Sequence, residues 1–138
     1  MKRVPISECP AGPWLDAAVA QARGSLVFSQ PDFGRWFVAS SIDAFHMGMR
    51  SGEFIETDSS GPMDFCYKLP RYSIDIAAAW GLVEELKMRC GYDPEGGDPF
   101  AFVSEGTHTW MSFAETVPLA VARAYLWVKG VTEVEIPE

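Results

Sequence analysis

YSIDIAAAWGLVEELKMRCG, residues 72–91, is the stretch whose reading decides the fold. Ile76, Ala79, Trp80, Val83, Leu86 and Cys90 recur at helical spacing and make one apolar stripe, while Glu84, Glu85 and Arg89 fall away from it. Ser73 stands where an N-cap hydroxyl can accept from the free amides of a first turn. Asp75 puts a negative charge at the positive end of the helix dipole. Glu85 and Arg89 form an i,i+4 pair in the favourable order, and Gly91 supplies a stop. The spacing predicts the main packing helix of a small α+β protein.

Working outward, WLDAAVAQARG follows Pro13 and ends on Gly24, the usual asymmetry of helix termini, with Leu15, Ala18, Val19 and Ala22 on one face. On the C-terminal side, PFAFVSEGTHTWMSF reads as a hairpin turning at Glu105-Gly106. Its pairing sets Phe100, Phe102, Met111 and Phe113 on one face, and Ala101, Val103, His108 and Trp110 on the other. Both faces are apolar enough to need cover. Thr116 and Pro118 open a last helix, VPLAVARAYLWVK, which Gly130 ends and which is apolar nearly all round. Such a helix wants cover on more than one side, and a subunit interface is one way to supply it. VTEVEIPE alternates well enough for an edge strand. Between residues 25 and 71, SLVFS, RWFVAS, EFIET and MDFCYKL have strand composition, TDSSGP is a turn, and in SIDAFHMGMRSG neither period wins. The expectation is one domain over residues 1–138, with three helices on a mainly antiparallel sheet.

Composition excludes several functions. The formal net charge is −8, with no basic cluster, which opposes binding to duplex nucleic acid or to anionic lipid. No apolar run approaches the ~20 residues of a membrane span. MKRVPISECPAGPW has basic residues but no apolar stretch behind them, so the expected location is the cytoplasm. Cys9, Cys66 and Cys90 share no metal-ligand spacing and read as small apolar residues.

The residues that could carry chemistry are few. Arg71, Tyr72 and Ser73 precede a helix whose free amides could hold a phosphate or carboxylate, although Asp75 already occupies that positive end. Arg35 beside Trp36 suits a flat anionic ligand, and His46 and Arg50 add cationic or hydrogen-bonding groups nearby in sequence. His46 and His108 are the two histidines, and neither belongs to an HxH or HExxH pattern. The glycines of GYDPEGGDPF lack the lysine of a phosphate loop, and its acids lack the calcium-loop spacing. No catalytic residue, metal ligand or cofactor is therefore expected.

Three stretches taken together carry a resemblance: AGPWLDAAVAQARG at 11–24, LPRYSIDIAAAWGLVEEL at 69–86 and AETVPLAVARAYL at 114–126. In order and spacing they resemble the phage ABA-sandwich family of small tailed-phage and prophage proteins. Tyr72, Ser73, the run 75–79, Trp80, Glu115, Thr116, Pro118, Leu119, Ala120, Arg123 and Ala124 fit that pattern. Two departures stand out: the middle region, 25–66, is expanded relative to the family, and Trp14 stands where the family more often has a polar or charged residue. The resemblance implies a three-layer helix–sheet–helix sandwich and a phage origin, and it transfers no catalytic residue. On this basis the expected protein is a non-enzymatic, homo-oligomeric phage accessory protein. It would sequester a small anionic, nucleotide-like host ligand at Arg35, Trp36, His46, Arg50, Arg71, Tyr72 and Ser73. The alternatives are a phage protein–protein interaction module, and a small hydrolase using His46 or His108.

Overall fold

Side chains of Ser41, Asp75 and Thr116 cap the starts of three helices in this chain. The computed structural model describes residues 1–30, 34–51 and 65–137, so the expected strand EFIET lies outside the described residues. In chain order the elements are β1 (Lys2–Pro5), a 3-10 turn (Ile6–Glu8), α1 (Pro13–Ala22), β2 (Leu26–Gln30), β3 (Arg35–Ala39), α2 (Ile42–Ser51), β4 (Cys66–Lys68), α3 (Ile76–Leu86), β5 (Arg89–Tyr92), β6 (Pro99–Glu105), β7 (His108–Phe113), α4 (Val117–Val128) and β8 (Glu133–Ile136). The class is α+β with antiparallel sheets, and the described residues hold four α-helices where three were expected. The described residues form two compact units, Met1–Val19 with Pro70–Glu138, and Ala20–Leu69.

The first unit contains the sheet β5–β6–β7 and the pair β1–β8. The hairpin has the expected register: Phe100 opposes Phe113, Phe102 opposes Met111 and Val103 opposes Trp110. Gly106 takes a φ of 60° in the two-residue turn between Glu105 and His108, a conformation that favours glycine. Thr116 caps α4 by accepting from the Leu119 amide at 3.3 Å, and Pro lies in the first turn. The helix then lies on one face of β5–β6–β7, over Ala101, Val103 and Ser112. From Leu119 to Leu126 every α4 residue is buried, so cover for its all-round apolar surface comes from its own chain.

The decisive stretch is a helix, but a shorter one than its spacing predicts. Asp75, not Ser73, is the N-cap; its carboxylate accepts from the Ala77 amide at 2.9 Å. The helix ends at Leu86 because Lys87 takes the left-handed conformation, φ 53°, and Val83 O accepts from the amides of Lys87 and Met88. The chain then leaves directly into β5, so Cys90 and Gly91 are strand residues. The buried seam of the helix is Ala79, Leu82 and Val83. Trp80 is not core: it is 49% exposed, as is Ile76, and its indole N–H donates to Glu84 at 2.9 Å.

In the second unit β3 is the centre of the sheet β2–β3–β4. The segment SIDAFHMGMRS, ambiguous by period, is α2. Ser41 Oγ accepts from the Ala44 amide at 3.1 Å, Asp43 is in the first turn and Arg50 in the last. Phe45 stacks on Phe28 at 4.1 Å between ring centroids and meets Phe37 at 6.0 Å, which fixes α2 against the sheet face carrying Phe28, Phe37 and Ala39.

Candidate functional site

Two groups of side chains in the first unit have a geometry beyond ordinary packing. One is a buried polar frame. Asp16, on α1, is 2% exposed although Leu15 and Val19 beside it are core. Its Oδ1 accepts the Ser73 amide at 2.8 Å, and the Ser73 hydroxyl accepts the Gly12 amide at 2.9 Å. These bonds tie the start of α1 to the turn before α3, so Ser73, itself fully buried, serves α1 rather than the helix it precedes. On α4, Arg123 is 7% exposed and its Nη2 donates to the Cys9 carbonyl at 2.8 Å, while its Nε is buried without a partner. Tyr125, fully buried on the same helix, donates to Glu85 Oε2 at 2.6 Å, and Lys129 Nζ stands 3.7 Å from that oxygen.

Burial pushes the Asp16 carboxyl above the ordinary carboxylate range, opposed by its bonds to Ser73 and by the Arg71 charge. The folded state therefore holds this proton more tightly than the unfolded chain does. The group's contribution to stability is largest at acid pH and declines as pH rises from the ordinary carboxylate value through the raised folded one. Asp16→Asn keeps an acceptor for Ser73 without the charge. In urea unfolding from about pH 3.5 to about pH 7, its stability relative to wild type is expected to improve as pH rises. Asp16→Ala orphans the buried Ser73 amide and is expected to cost about 1–3 kcal/mol throughout. A pH-independent difference between Asn and wild type would count against this reading.

The second group is a surface. Among the described residues of this unit, α4 lies on one face of β5–β6–β7. On the other lie Phe100, Phe102, Met111 and Phe113, with Met111 46% and Phe113 52% exposed and the two β6 phenylalanines half-buried. Gly91 opposes Phe100, and a Cβ there would meet the Phe100 ring at 4.0 Å, in ordinary van der Waals contact. Arg89, opposite Phe102, is the only charged residue of the three strands on this face.

The residues selected from sequence are distributed differently. Arg71 is exposed, Tyr72 is 6% exposed, and Ser73 has its hydroxyl and amide engaged as above. Arg35, Trp36, His46 and Arg50 belong to the second unit. There, strand alternation puts Trp36 and Val38 on the face opposite Phe37, whereas His46 and Arg50 ride on α2 against the Phe37 face. The sheet thus separates Trp36 from His46 and Arg50; Arg35 shares the α2 face. Arg50 Nε donates to its own helix at His46 O, 3.5 Å away. An open groove of about 280 Å³, near the small end for ligand pockets, is lined by Gln21, Ser25, Leu26, Val27, Phe28 and Ile42 and contains none of these four residues. His108 stacks on Trp110 at 5.8 Å. Burial raises the thiols of Cys9, Cys66 and Cys90 above their ordinary range, which keeps them protonated and poor nucleophiles. Among the described residues no three His, Cys, Asp or Glu side chains gather as a metal would need.

Sequence reasoning gave Asp16 no role and met Arg123 only as part of the family pattern. Each had a signal: a lone charge inside an apolar helical stripe, LDAAV in one case and AVARAYL in the other.

A helix-backed antiparallel sheet held by a buried polar frame defines a small α+β sandwich protein. The chain belongs to the phage ABA sandwich domain family, whose profile matches residues 36–126, and it is a phage-associated protein. The comparison with curated proteins returned no match. Among the described residues no helix is long and apolar enough to cross a membrane.

Proposed function

We propose that this phage protein is a non-enzymatic interaction module that binds a protein partner through the uncovered face of β5–β6–β7. The observation that supports it most is the half-exposed state of Met111 and Phe113, beside Phe100 and Phe102, on a face with a single charge. Contiguous exposed apolar surface of this kind marks interaction sites in soluble proteins, and aromatic residues and Met are the types enriched there. The buried frame does other work, since Asp16, Ser73 and Arg123 are buried and bonded. Substituting Met111→Glu together with Phe113→Glu changes exposed side chains and is expected to leave the unfolding midpoint within a few degrees of wild type. Capture of the partner from phage-infected cells should fall at least about tenfold. Undiminished capture by the folded double variant would remove this reading.

A second reading is sequestration of a small anionic, nucleotide-like ligand by the second unit. Its support is that Arg35 and Lys68 share the sheet face of Phe37, Arg35 two residues along its strand and Lys68 opposite it on β4, with α2 against that face. A thermal shift by cyclic or linear nucleotides that Arg35→Ala abolishes would favour it; no shift across the panel would dismiss it.

A further inference from the structure

We infer that β7 pairs with β7 of a second copy of this chain, antiparallel about a two-fold axis at Met111, joining two three-stranded sheets into one of six. Among the described residues β7 is an edge strand: the sheet order is β5–β6–β7. The direction of its free groups follows from the ladder. Pro99 O accepts from the Ala114 amide at 3.2 Å, so that pair is a hydrogen-bonded one, and bonded pairs recur at Ala101–Ser112, Val103–Trp110 and Glu105–His108. The N–H and C=O groups of Thr109, Met111 and Phe113 therefore point away from β6, along the open edge.

Exposed edges of soluble proteins are ordinarily blunted by lysine, proline, a bulge or a covering loop. HTWMSF has no Lys, Arg, Asp, Glu or Pro, and its register with β6 runs without a bulge from Phe113 to His108. The same edge bears the exposed side chains of Met111 and Phe113.

Two arguments select a second copy as the occupant. The first is register. With Met111 opposite its own symmetry mate, Thr109 falls opposite Phe113 of the copy and the converse, so every outward N–H meets an outward C=O. A two-fold axis supplies this match without further design. The second is charge. A chain of net −8 repels its copy over most approaches, yet no acid lies between residues 106 and 114. The opposed pairs, His108 with Ala114, Thr109 with Phe113 and Trp110 with Ser112, contain no like charges. The pairing also makes the two Phe/Met faces continuous. It stands apart from the partner proposed above, since it concerns the strand edge and is read by mass rather than by capture.

The test is sedimentation of the full chain over a range of concentrations. Wild type is expected to dimerise. Thr109→Lys with Phe113→Lys sets lysines opposite one another across the axis and should weaken the dimer at least about tenfold. Thr109→Lys with Phe113→Glu sets opposite charges face to face and should restore it. As a check independent of those surface changes, Met111→Cys should form a disulfide-linked dimer under mild oxidation, because directly opposed strand residues have Cα atoms about 5.5 Å apart. Wild type that stays monomeric, a Lys/Lys variant that dimerises like wild type, or a Lys/Glu variant no better than Lys/Lys would overturn the inference.

Discussion

Replacing Arg123 by alanine is expected to destabilise the protein by about 2–4 kcal/mol, whereas replacing it by methionine should cost roughly half of that or less. The difference follows from what surrounds the side chain. Arg123 is 7% exposed, its Nη2 bonds the Cys9 carbonyl at 2.8 Å, and its Nε is buried without a partner. Alanine leaves the carbonyl without its donor and opens a cavity beside α4. Methionine also loses the bond, but it fills most of the volume and removes a buried charge that no carboxylate bonds among the described residues. Desolvating such a charge is costly, so its removal offsets part of the lost hydrogen bond. Urea unfolding of the three proteins gives the comparison. Equal losses for Ala and Met would assign the whole effect to the hydrogen bond. A cost under about 1 kcal/mol for Ala would mean that Arg123 does not hold the N-terminal segment to α4.

Tyr125→Ala is expected to cost about 3–5 kcal/mol, a large part of the 5–15 kcal/mol stabilising an ordinary domain. Tyr125 is fully buried on α4 with its hydroxyl on Glu85 of α3, and truncation would leave a cavity beside α4. Tyr125→Phe separates the hydroxyl from the ring. The hydroxyl donates to Glu85 at 2.6 Å, but the Glu85 side chain is 32% exposed and shared with Lys129. Solvent screening puts the Phe cost near about 1 kcal/mol, below the usual range for a hydrogen bond to a charged group. A Tyr125→Phe and Glu85→Gln double-mutant cycle measures that coupling directly. Losses of similar size for Phe and Ala would mean that the bond, not the packing, dominates.

The parts of the fold written in local pattern were legible in the sequence. The β6–β7 register followed from period-two alternation around one glycine, and α4 from a threonine cap with proline in the first turn. Elements decided by competition between neighbours were less so. The run 72–91 has helical spacing through Cys90, yet a non-glycine residue, Lys87, ends the helix in the left-handed conformation and gives the rest to β5. Trp80 and Ala79 both fit a helical stripe; which one enters the seam depends on how α3 meets α4, and there the small residue fits. β1 shows no period in four residues and exists because β8, at the other end of the chain, pairs with it.

Less of the candidate site could be read. Tyr72 and Ser73 resemble an anion-binding turn only until Asp16 and Gly12, some sixty residues earlier, take up the Ser73 amide and hydroxyl. The placement of Trp36 against His46 and Arg50 was hidden for another reason: without knowing that α2 is a helix, or which face it covers, side-chain alternation cannot separate them. The surface of β5–β6–β7 was half visible, since the sequence showed both faces to be apolar. It could not show that α4 covers one face and leaves the other open.

Binding through that open face is the central claim, and hydrogen exchange tests it most directly. Protein recovered with its bound partner from phage-infected cells would be compared with protein alone at the same concentration. The account predicts added protection over residues 99–113 and little change over residues 35–50. Protection confined to residues 35–50, with 99–113 exchanging as in the free protein, would contradict it.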